Sequence, residues 1–403
     1  MAQGTKWRLS VMMFLQYAIW GMWSPVLASY LKKIGLDGTQ TGALISLLPL
    51  GCMIAPFIGG QLADRYFSTE KLLAFFHIAG GAMLLVMARV SDYSQLLTFM
   101  FIYALLYAPT LAITNSITFH HLPEAEKKFS LVRVWGTIGW IAAGLLLAGV
   151  RNIWPEGEGF AGLGGADIFW LAGFISIALG VFSLALPKTP PAKTGESPWA
   201  FLAAIKLLRE PSFALFIVIS FVVSTELMFY YVLTAPFLET IGVESKNVSA
   251  VMSLGQAAEI GMMLALPWIL TRWGVRKTLA LGILAWPIRY IIFAYGKPTW
   301  LVIGALPLHG FCYVCFFVVA FIYVDSVAKP DIRASAQALI AFVTLGAGMF
   351  VGSLFAGWIQ DYFTVDQIVN YTNVFLVPVV LTLLCAVVFF LTFKDEQQRA
   401  AEA

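Results

Sequence analysis

The stretch IGLDGTQTGALISL at residues 34–47 recurs 207 residues later as IGVESKNVSAVMSL at 241–254. The same offset places Arg65 on Arg272, beyond the apolar stretch that follows each copy. Duplicated helical bundles are common among membrane transporters, whose substrate sites lie where the two copies meet. The repeat therefore predicts two halves with the same helix number and the same orientation, and a site to which both halves contribute.

Apolar stretches of about 20 residues follow one another along the chain, and each is long enough for a bilayer core of about 30 Å. Of the 403 residues, 60% are hydrophobic and 12% are charged, and the mean hydropathy is +0.83. Soluble domains contain roughly 45–50% apolar and 25% charged residues. The sequence thus predicts an all-α membrane protein with twelve transmembrane helices in two parallel six-helix repeats. The predicted spans are 9–31, 40–63, 72–90, 95–119, 130–150, 167–186, 212–237, 247–270, 277–296, 299–324, 335–358 and 373–393.

The distribution of the 25 Lys and Arg residues predicts the orientation. Loops on the side of the N-terminus carry 18 of them, the opposite loops carry 6, and Arg289 lies within a span. Because basic residues are enriched in cytoplasmic loops, we expect both termini in the cytoplasm and a multi-pass location in a bacterial inner membrane. The net charge of +3 is too small to indicate a nucleic-acid partner.

A polar segment with several prolines separates the two halves. It predicts an N-terminal six-helix bundle at 1–187, a cytoplasmic linker at 188–211 and a C-terminal six-helix bundle at 212–403. Within the linker, residues 199–208 have the pattern of an amphipathic surface helix. The chain shows no nucleophile–base pair and no metal cluster at the membrane surface, so we predict a transporter and not an enzyme.

Charged side chains inside the predicted spans mark the candidate site, because a charge in hydrocarbon is costly unless it faces a cavity or a partner. In the fifth span, Arg133, Thr137 and Trp140 recur at i, i+4 and i+7. This spacing places a cation, a hydroxyl and an indole on one helix face, which can bind a polar ring compound and stack on it. The alternative is that Arg133 extends to the cytoplasmic headgroups.

The eighth span carries Gln256 and Glu259 at i and i+3. An amide that can donate and accept thus lies beside a carboxylate that can carry a proton. We interpret Glu259 as a proton-coupling residue, with a structural partnership to a basic residue as the alternative. Glu226 in the seventh span is a second proton-coupling candidate, unless it neutralises Arg289, for which we predict a structural role.

Polar and aromatic residues of the first and fourth spans extend the predicted cavity lining. Gln16 and Asn115 are its polar members, and prolines at positions 25 and 109 are expected to loosen these helices. Packing is the alternative role for each aromatic residue. The further candidates are Trp20, Trp23, Tyr107 and Thr110.

The segment GQLADRY at residues 60–66 follows the second predicted span. Together with the doubled six-helix pattern, it resembles the G-x-L-a-D-r loop motif of the major facilitator superfamily. In that superfamily the motif locks the cytoplasmic gate, so the resemblance implies gate roles for Asp64 and Arg65. The second copy keeps Arg272 but lacks the acidic residue. We also assign Arg333 to this boundary, as a pairing partner of Asp325.

Motifs in order along nearly the whole chain resemble a narrower group, the bacterial nucleoside:proton symporters. The resemblance implies uptake of nucleosides with protons by alternating access, without a cofactor beyond the proton gradient. It implies binding roles for Arg133, Thr137, Gln256 and Glu259, and aromatic roles for Trp140 and Tyr313. The motifs are FLQ at 14–16, PTL at 109–111, RVWGTIG at 133–139, AW at 285–286, FAYG at 293–296 and IRASAQ at 332–337.

Two departures from the family pattern bear on the substrate. Met228 and Tyr231 stand where the family has an amide pair that faces the ligand, and Val314 stands where it has a carboxylate. The first change removes hydrogen bonds suited to a ribose or a base, although Tyr231 stays a predicted binding residue. The second change removes a carboxylate that could carry a proton, so Glu259 is expected to take more of the coupling role. A sugar or other polar solute is the alternative cargo, and a non-transporting solute sensor is the alternative function. We expect a monomer in the lipid bilayer.

Overall fold

The structure is a computed structural model that describes residues 3–57, 67–122, 125–154, 165–191, 199–329 and 332–393. These residues are almost entirely helical, which confirms the all-α prediction. The sheet that they contain is one antiparallel hairpin of two short strands, Thr364–Val365 (β1) and Ile368–Val369 (β2). Asp366 and Gln367 form its two-residue turn with φ angles of 49° and 66°, the backbone that tight hairpin turns require.

The described residues before the central linker contain seven helices. A 3₁₀ turn at Ser24–Val26 joins the first two helices, because Pro25 lacks the amide proton that a continuous α-helix needs there. The helices are α1 (Gln3–Trp23), α2 (Leu27–Lys33), α3 (Gly38–Ala55), α4 (Thr69–Met87), α5 (Tyr93–His121), α6 (Ala125–Ile153) and α7 (Asp167–Ser183).

The described residues from position 199 onwards contain nine further helices, the first of which lies within the linker. 3₁₀ turns lie at Ala204–Arg209 and Ser245–Asn247, and π-helical segments lie at Tyr313–Val318 and Phe342–Gly348. The predicted amphipathic helix is one α-helical turn continued as a 3₁₀ turn. The helices are α8 (Ala200–Ala203), α9 (Pro211–Thr240), α10 (Val248–Tyr295), α11 (Thr299–Ala305), α12 (Leu308–Cys312), α13 (Val319–Val327), α14 (Arg333–Ala341), α15 (Met349–Tyr362) and α16 (Tyr371–Thr392).

Helix α10 consists of two helical segments that meet at Gly274. This residue has φ 70° and ψ 177°, a conformation outside the helical region that glycine adopts without a steric penalty. At about 1.5 Å per residue, 48 helical residues would extend to about twice the thickness of a bilayer core. The chain therefore reverses direction at Gly274.

Ten helical stretches in the described residues are long and apolar enough to cross a membrane, and Asp167–Ser183 is a shorter apolar helix. The longest of the ten, Ser245–Tyr295, contains the break at Gly274. Spans of this number are typical of a multi-pass membrane protein. The prediction of a multi-pass helical membrane protein is thereby confirmed.

The described residues form two compact units. The first comprises those of Met1–Pro198 together with Val243–Ser253, and the second comprises those of Trp199–Gly242 and Leu254–Ala403. In the first unit, α1 packs along α6, α4 packs along α7, and α3 packs along α5. In the second, α9 packs against α15 and α16. The short segment at 243–253 is held in the first unit by the Ser249 hydroxyl, which donates to the Gly144 carbonyl at 2.9 Å.

Candidate functional site

The second unit places Glu259 beside a histidine in the helical stretch after α11. Oε1 of Glu259 lies 3.1 Å from Nε2 of His309. His309 is fully buried, whereas the Glu259 side chain is 15% exposed. The contact requires a close approach of α12 to α10 at Gly310, where a Cβ atom would lie 2.6 Å from the carbonyl carbon of Ala258. A glycine after the histidine is thus what allows its ring to reach the carboxylate.

Two of the predicted binding residues also surround His309. The ring centroid of Tyr231 lies 6.2 Å from that of the imidazole, and the centroid of Tyr313 lies 5.9 Å away. Gln256 lies one turn before Glu259 on α10 and is buried. The structure therefore brings Glu259, Tyr231 and Tyr313 together around a side chain that the sequence reasoning did not select.

Arg289 lies on the other side of His309 and is completely buried. Its Nη1 atom is 3.1 Å from Nδ1 of the imidazole. Nε and Nη2 have no hydrogen-bond partner among the described residues. Instead, aromatic rings surround the guanidinium carbon, and such contacts stabilise a desolvated cation by about 2 kcal/mol. The ring centroids lie at 4.5 Å for Trp286, 4.6 Å for Tyr230, 4.9 Å for Tyr290 and 6.0 Å for Phe293.

Glu226 is buried in the same unit. Its Oε2 atom accepts a hydrogen bond of 2.5 Å from the Thr382 hydroxyl, and its Oε1 atom has no hydrogen-bond partner in the described part of the chain. The Tyr290 hydroxyl donates to the Glu226 backbone carbonyl at 2.6 Å. The contacts of the described residues include no ion pair between Glu226 and Arg289. His309 and the aromatic rings are the direct neighbours of the guanidinium, and the Glu226 carboxylate interacts with it electrostatically at longer range.

In the first unit, the predicted face of α6 lies against α1. The guanidinium carbon of Arg133 lies 3.9 Å from the ring centroid of Tyr17. The Trp140 indole packs edge-on against Trp20 at 5.3 Å. Thr137 lies between them on the helix and is partly accessible. The three residues therefore share a face as predicted, and the cation is positioned by an aromatic ring of α1.

Gln16 is fully buried and belongs to a hydrogen-bonded network in the first unit. Its Nε2 donates to the Thr110 hydroxyl at 2.7 Å, and its Oε1 lies 2.7 Å from Nε2 of His77. His77 also contacts the Ser176 hydroxyl at 3.2 Å, and the Tyr107 hydroxyl donates to the Gln16 backbone carbonyl at 2.7 Å. The Gln16 amide is thus fully engaged within the protein.

Other predicted residues of the first and fourth spans lie close to this network. The Trp23 indole donates to the Tyr103 hydroxyl at 3.2 Å, which holds α1 against α5. Asn115 is partly accessible as a residue, but its Oδ1 atom is buried and has no hydrogen-bond partner among the described residues. This carbonyl oxygen is available as an acceptor.

The predicted gate residues are only partly described. Asp64 and Arg65 lie outside the described residues, within the interval 58–66. Arg272 is exposed and lies over the Trp268 ring at 5.8 Å. Arg333 forms the predicted pair with Asp325, with 3.7 Å between Nε and Oδ1. The geometry of that pair is confirmed, and its part in gating stays a prediction.

Comparison with known proteins identifies the family. The chain matches the family model described as "Nucleoside H+ symporter" over residues 3–398. The chain belongs to the nucleoside H+ symporter family. This is a family of transporters, so the predictions of family and of a transporter instead of an enzyme are confirmed.

Three relatives of this family member illustrate the match. It is 34% identical to the putative nucleoside transporter YegT of Escherichia coli (strain K12), over 97% of this chain and 94% of the relative. It is 30% identical to the xanthosine permease of the same organism, over 96% and 95%. The crystal structure of the nucleoside transporter NupG superimposes with a TM-score of 0.87 at 26% identity and covers 97% of this chain and 100% of that one. The family member thus has the fold of a major facilitator transporter.

Sequence reasoning missed two buried histidines. His77 and His309 each lie in a predicted span, but a neutral imidazole is not a formal charge and does not stand out beside Asp, Glu, Lys and Arg. Histidine titrates near neutral pH, so the rule that selected Glu259 applies to it as well. For His309 the flanking Pro307 and Gly310 were a further signal, because they mark a helix interruption where another backbone approaches closely.

Proposed function

We infer that this chain imports nucleosides together with protons by alternating access. The observation that carries the inference is the carboxylate of Glu259, which is partly accessible and faces a buried His–Arg pair in the second unit. A carboxylate in a membrane span is costly unless it faces a cavity or a partner, and one that is kept there is a candidate for a role in transport. The family description names nucleosides and protons together, and Glu259 supplies a proton-carrying group for such coupling.

For the architecture we propose twelve spans in two parallel six-helix repeats. Dividing Ser245–Tyr295 at Gly274 and including Asp167–Ser183 supports that number. The excess of Lys and Arg in alternate loops supports cytoplasmic termini. We further propose a monomer in a bacterial inner membrane, with the proton gradient as its energy source and no cofactor. The domain boundaries at 187 and 212 belong to the same proposal.

For the substrate site we propose contributions from both units. In the first, Arg133 offers donors to carbonyl or hydroxyl groups, Thr137 offers a hydroxyl, and Trp140 offers a surface for a planar base. Arg133 is already oriented by the Tyr17 ring, so its head group loses little freedom when a ligand binds. Asn115 adds an unpaired acceptor. We place Gln16 behind these residues, where its network fixes the position of α1.

In the second unit we propose that Tyr231, Tyr313 and Gln256 bind the solute beside Glu259. The two tyrosines flank His309, so their rings form part of the wall next to the proton site. Loss of the family's amide pair at Met228 and Tyr231 favours recognition through stacking and hydroxyl groups. For the gate we retain Asp64, Arg65, Arg272 and Arg333, with Asp325 as the partner of Arg333.

The test is uptake into proteoliposomes that contain the purified chain. Radiolabelled uridine, adenosine, xanthosine and a set of sugars are offered with the outside acidified, and again after an ionophore has collapsed the gradient. We expect accumulation of at least one nucleoside above its equilibrium level, dependent on the gradient. Gradient-independent equilibration, or accumulation of a sugar and no nucleoside, would contradict the proposal. Binding without exchange of internal for external solute would indicate a sensor.

A further inference from the structure

Both ring nitrogens of His309 contact ionisable groups. Nδ1 lies 3.1 Å from Nη1 of Arg289, and Nε2 lies 3.1 Å from Oε1 of Glu259. The imidazole therefore stands between a cation and a carboxylate that do not touch each other. The ring stacks on Tyr230 with 4.5 Å between centroids and 18° between planes, which fixes its orientation.

The contact with Arg289 determines which nitrogen of His309 carries the hydrogen. A guanidinium donates through every nitrogen and accepts through none, so Nδ1 must be the acceptor. The hydrogen of the neutral ring is then on Nε2, the nitrogen that lies 3.1 Å from Oε1 of Glu259. A doubly protonated ring would oppose an N–H group to the guanidinium at 3.1 Å and bring two positive charges together in a buried site. The neutral form with hydrogen on Nε2 is the one that this geometry favours.

Solvent accessibility differs among the side chains of Arg289, His309 and Glu259. Arg289 and His309 are fully buried, while Glu259 is partly exposed. A proton that arrives from water therefore meets the carboxylate first. In this conformation the Nε2–Oε1 contact is not aligned as a hydrogen bond, so a change in the charge of Glu259 can alter the contact without breaking a well-formed bond.

Several titratable groups face the imidazole from the elements packed around it. The two tyrosines of α9 and the tyrosine of the π-helical segment are neutral donors or acceptors at ordinary pH, and a thiol lies three residues away on α12. The only permanent charge among them is the guanidinium of α10. The groups are Glu259, Arg289, Tyr230, Tyr231, Tyr313 and Cys312.

We propose that His309 is a neutral positioning residue that links the Glu259 carboxylate to the buried Arg289 cation, so that Glu259 and not the imidazole carries the transported proton. The Nε2–H group stabilises the charged carboxylate, and Nδ1 takes its orientation from Arg289. Protonation of Glu259 removes the negative charge that His309 and Arg289 stabilise. The proposal rests on the proton coupling inferred above and adds the side chain that positions the coupling carboxylate.

Replacing His309 by glutamine tests the assignment directly. A glutamine side chain carries an acceptor oxygen and a donor NH2 group on the same carbon, and it does not titrate. His309→Gln should therefore keep the dependence of nucleoside uptake on pH, whereas His309→Ala and His309→Phe, which lack both groups, should shift it. Loss of this electrostatic contact at 3.1 Å should displace the profile by about one pH unit. The measured quantity is the pH of half-maximal uptake, which should be displaced in the Ala and Phe variants and not in His309→Gln.

The matched control is His77→Gln, a change of the buried histidine of the first unit, which should leave the pH profile unchanged. Exchange of internal for external nucleoside without a gradient should survive in all folded variants. If His309→Ala does not fold, the pH profile of His309→Phe is the test, because this variant retains a ring against Tyr230.

An unshifted profile in a folded Ala or Phe variant would overturn the role of His309. Loss of coupling in a folded His309→Gln variant would overturn it too, because the imidazole would then be the proton carrier. Absence of gradient-driven uptake by the wild-type chain would instead refute the proposed function.

Discussion

Each unit of the molecule encloses one buried histidine, and the two have different surroundings. His77 in the first unit contacts the Gln16 amide at 2.7 Å and the Ser176 hydroxyl at 3.2 Å. His309 in the second contacts a guanidinium and a carboxylate. The first cluster contains only neutral partners, whereas the second joins two groups of opposite charge.

Hydrogen bonding also distinguishes the two clusters. In the first, the side-chain nitrogens and oxygens of Gln16, His77 and Ser176 all have partners. In the second, the unpaired buried atoms include Nε and Nη2 of Arg289 and Nε2 of His309. A satisfied neutral network stabilises a helix bundle, while unpaired polar atoms in a low-dielectric interior are costly and occur at functional sites. This difference supports the proposal that the first cluster is part of the scaffold and the second takes part in coupling.

The largest effect is expected from Glu259→Gln, which removes the titratable group and keeps the shape. Nucleoside accumulation against a gradient should be abolished, while exchange without a gradient should survive. Glu244→Gln is the matched control, because this carboxylate is 65% exposed and its side-chain partners, Lys246 and Asn247, lie two and three residues further along the chain. The measurement is uptake by proteoliposomes with and without an acid exterior. Undiminished accumulation by Glu259→Gln would remove Glu259 from the mechanism.

Gly310→Ala should disturb the second cluster through the backbone. The added Cβ would lie 2.6 Å from the carbonyl carbon and 2.7 Å from the carbonyl oxygen of Ala258, so α12 has to move away from α10. Overpacking of this kind costs about 1–3 kcal/mol. We expect a lower thermal transition and weaker coupling, because His309 moves with its neighbour. Gly304→Ala is the control, because a Cβ atom added there would meet no neighbouring element within 4 Å. Equal transition temperatures for the two variants would contradict the expectation.

A matched pair of Thr→Val changes compares the first cluster with Glu226, a buried carboxylate of the second unit. Thr110→Val leaves the Gln16 amide nitrogen without its acceptor, and Thr382→Val leaves Glu226 without its donor. Each should lower the free energy of unfolding by about 1–3 kcal/mol, the cost of an unpaired buried polar group. Only Thr382→Val should also lower the ratio of gradient-driven uptake to exchange. A reduced ratio in Thr110→Val would give the first cluster a coupling role.

The smallest effect on stability is expected from Arg333→Gln. Its side chain is 48% exposed and that of its partner Asp325 is 51% exposed, at a separation of 3.7 Å. Surface pairs of this kind contribute about 0–1 kcal/mol. Thermal unfolding should therefore change little, while the rate of exchange tests the predicted part in gating. A destabilisation as large as that of Thr110→Val would show that the pair supports the fold.

Much of the fold could be predicted from the chain. Apolar stretches of the right length predict helical spans because backbone groups in lipid must bond within their own segment. The i, i+4, i+7 spacing placed Arg133, Thr137 and Trp140 on one face, which is how they lie. The break at Gly274 could be expected only in part, since a positive φ angle depends on the path of the chain as well as on the residue.

The site was harder to predict, because its contacts join residues far apart in sequence. Nothing local connects Glu259 with His309, which are 50 positions apart, or shows that Gly310 permits their contact. Gln16 is a polar residue in an apolar span whether it faces a ligand or a buried network. Its complete burial became visible only when His77 and Thr110 had been placed around it.

The sequence by itself determined that this protein is a duplicated helical membrane protein and where its family motifs lie, because hydrophobicity, charge bias and repeats are local properties. The tertiary structure decided which polar side chains meet. It joined Glu259 to Arg289 through His309 and enclosed Gln16 in a neutral network, because hydrogen bonds and charge interactions depend on distances of about 3 Å between helices. Those distances are set by the packing of helix on helix and not by any single segment.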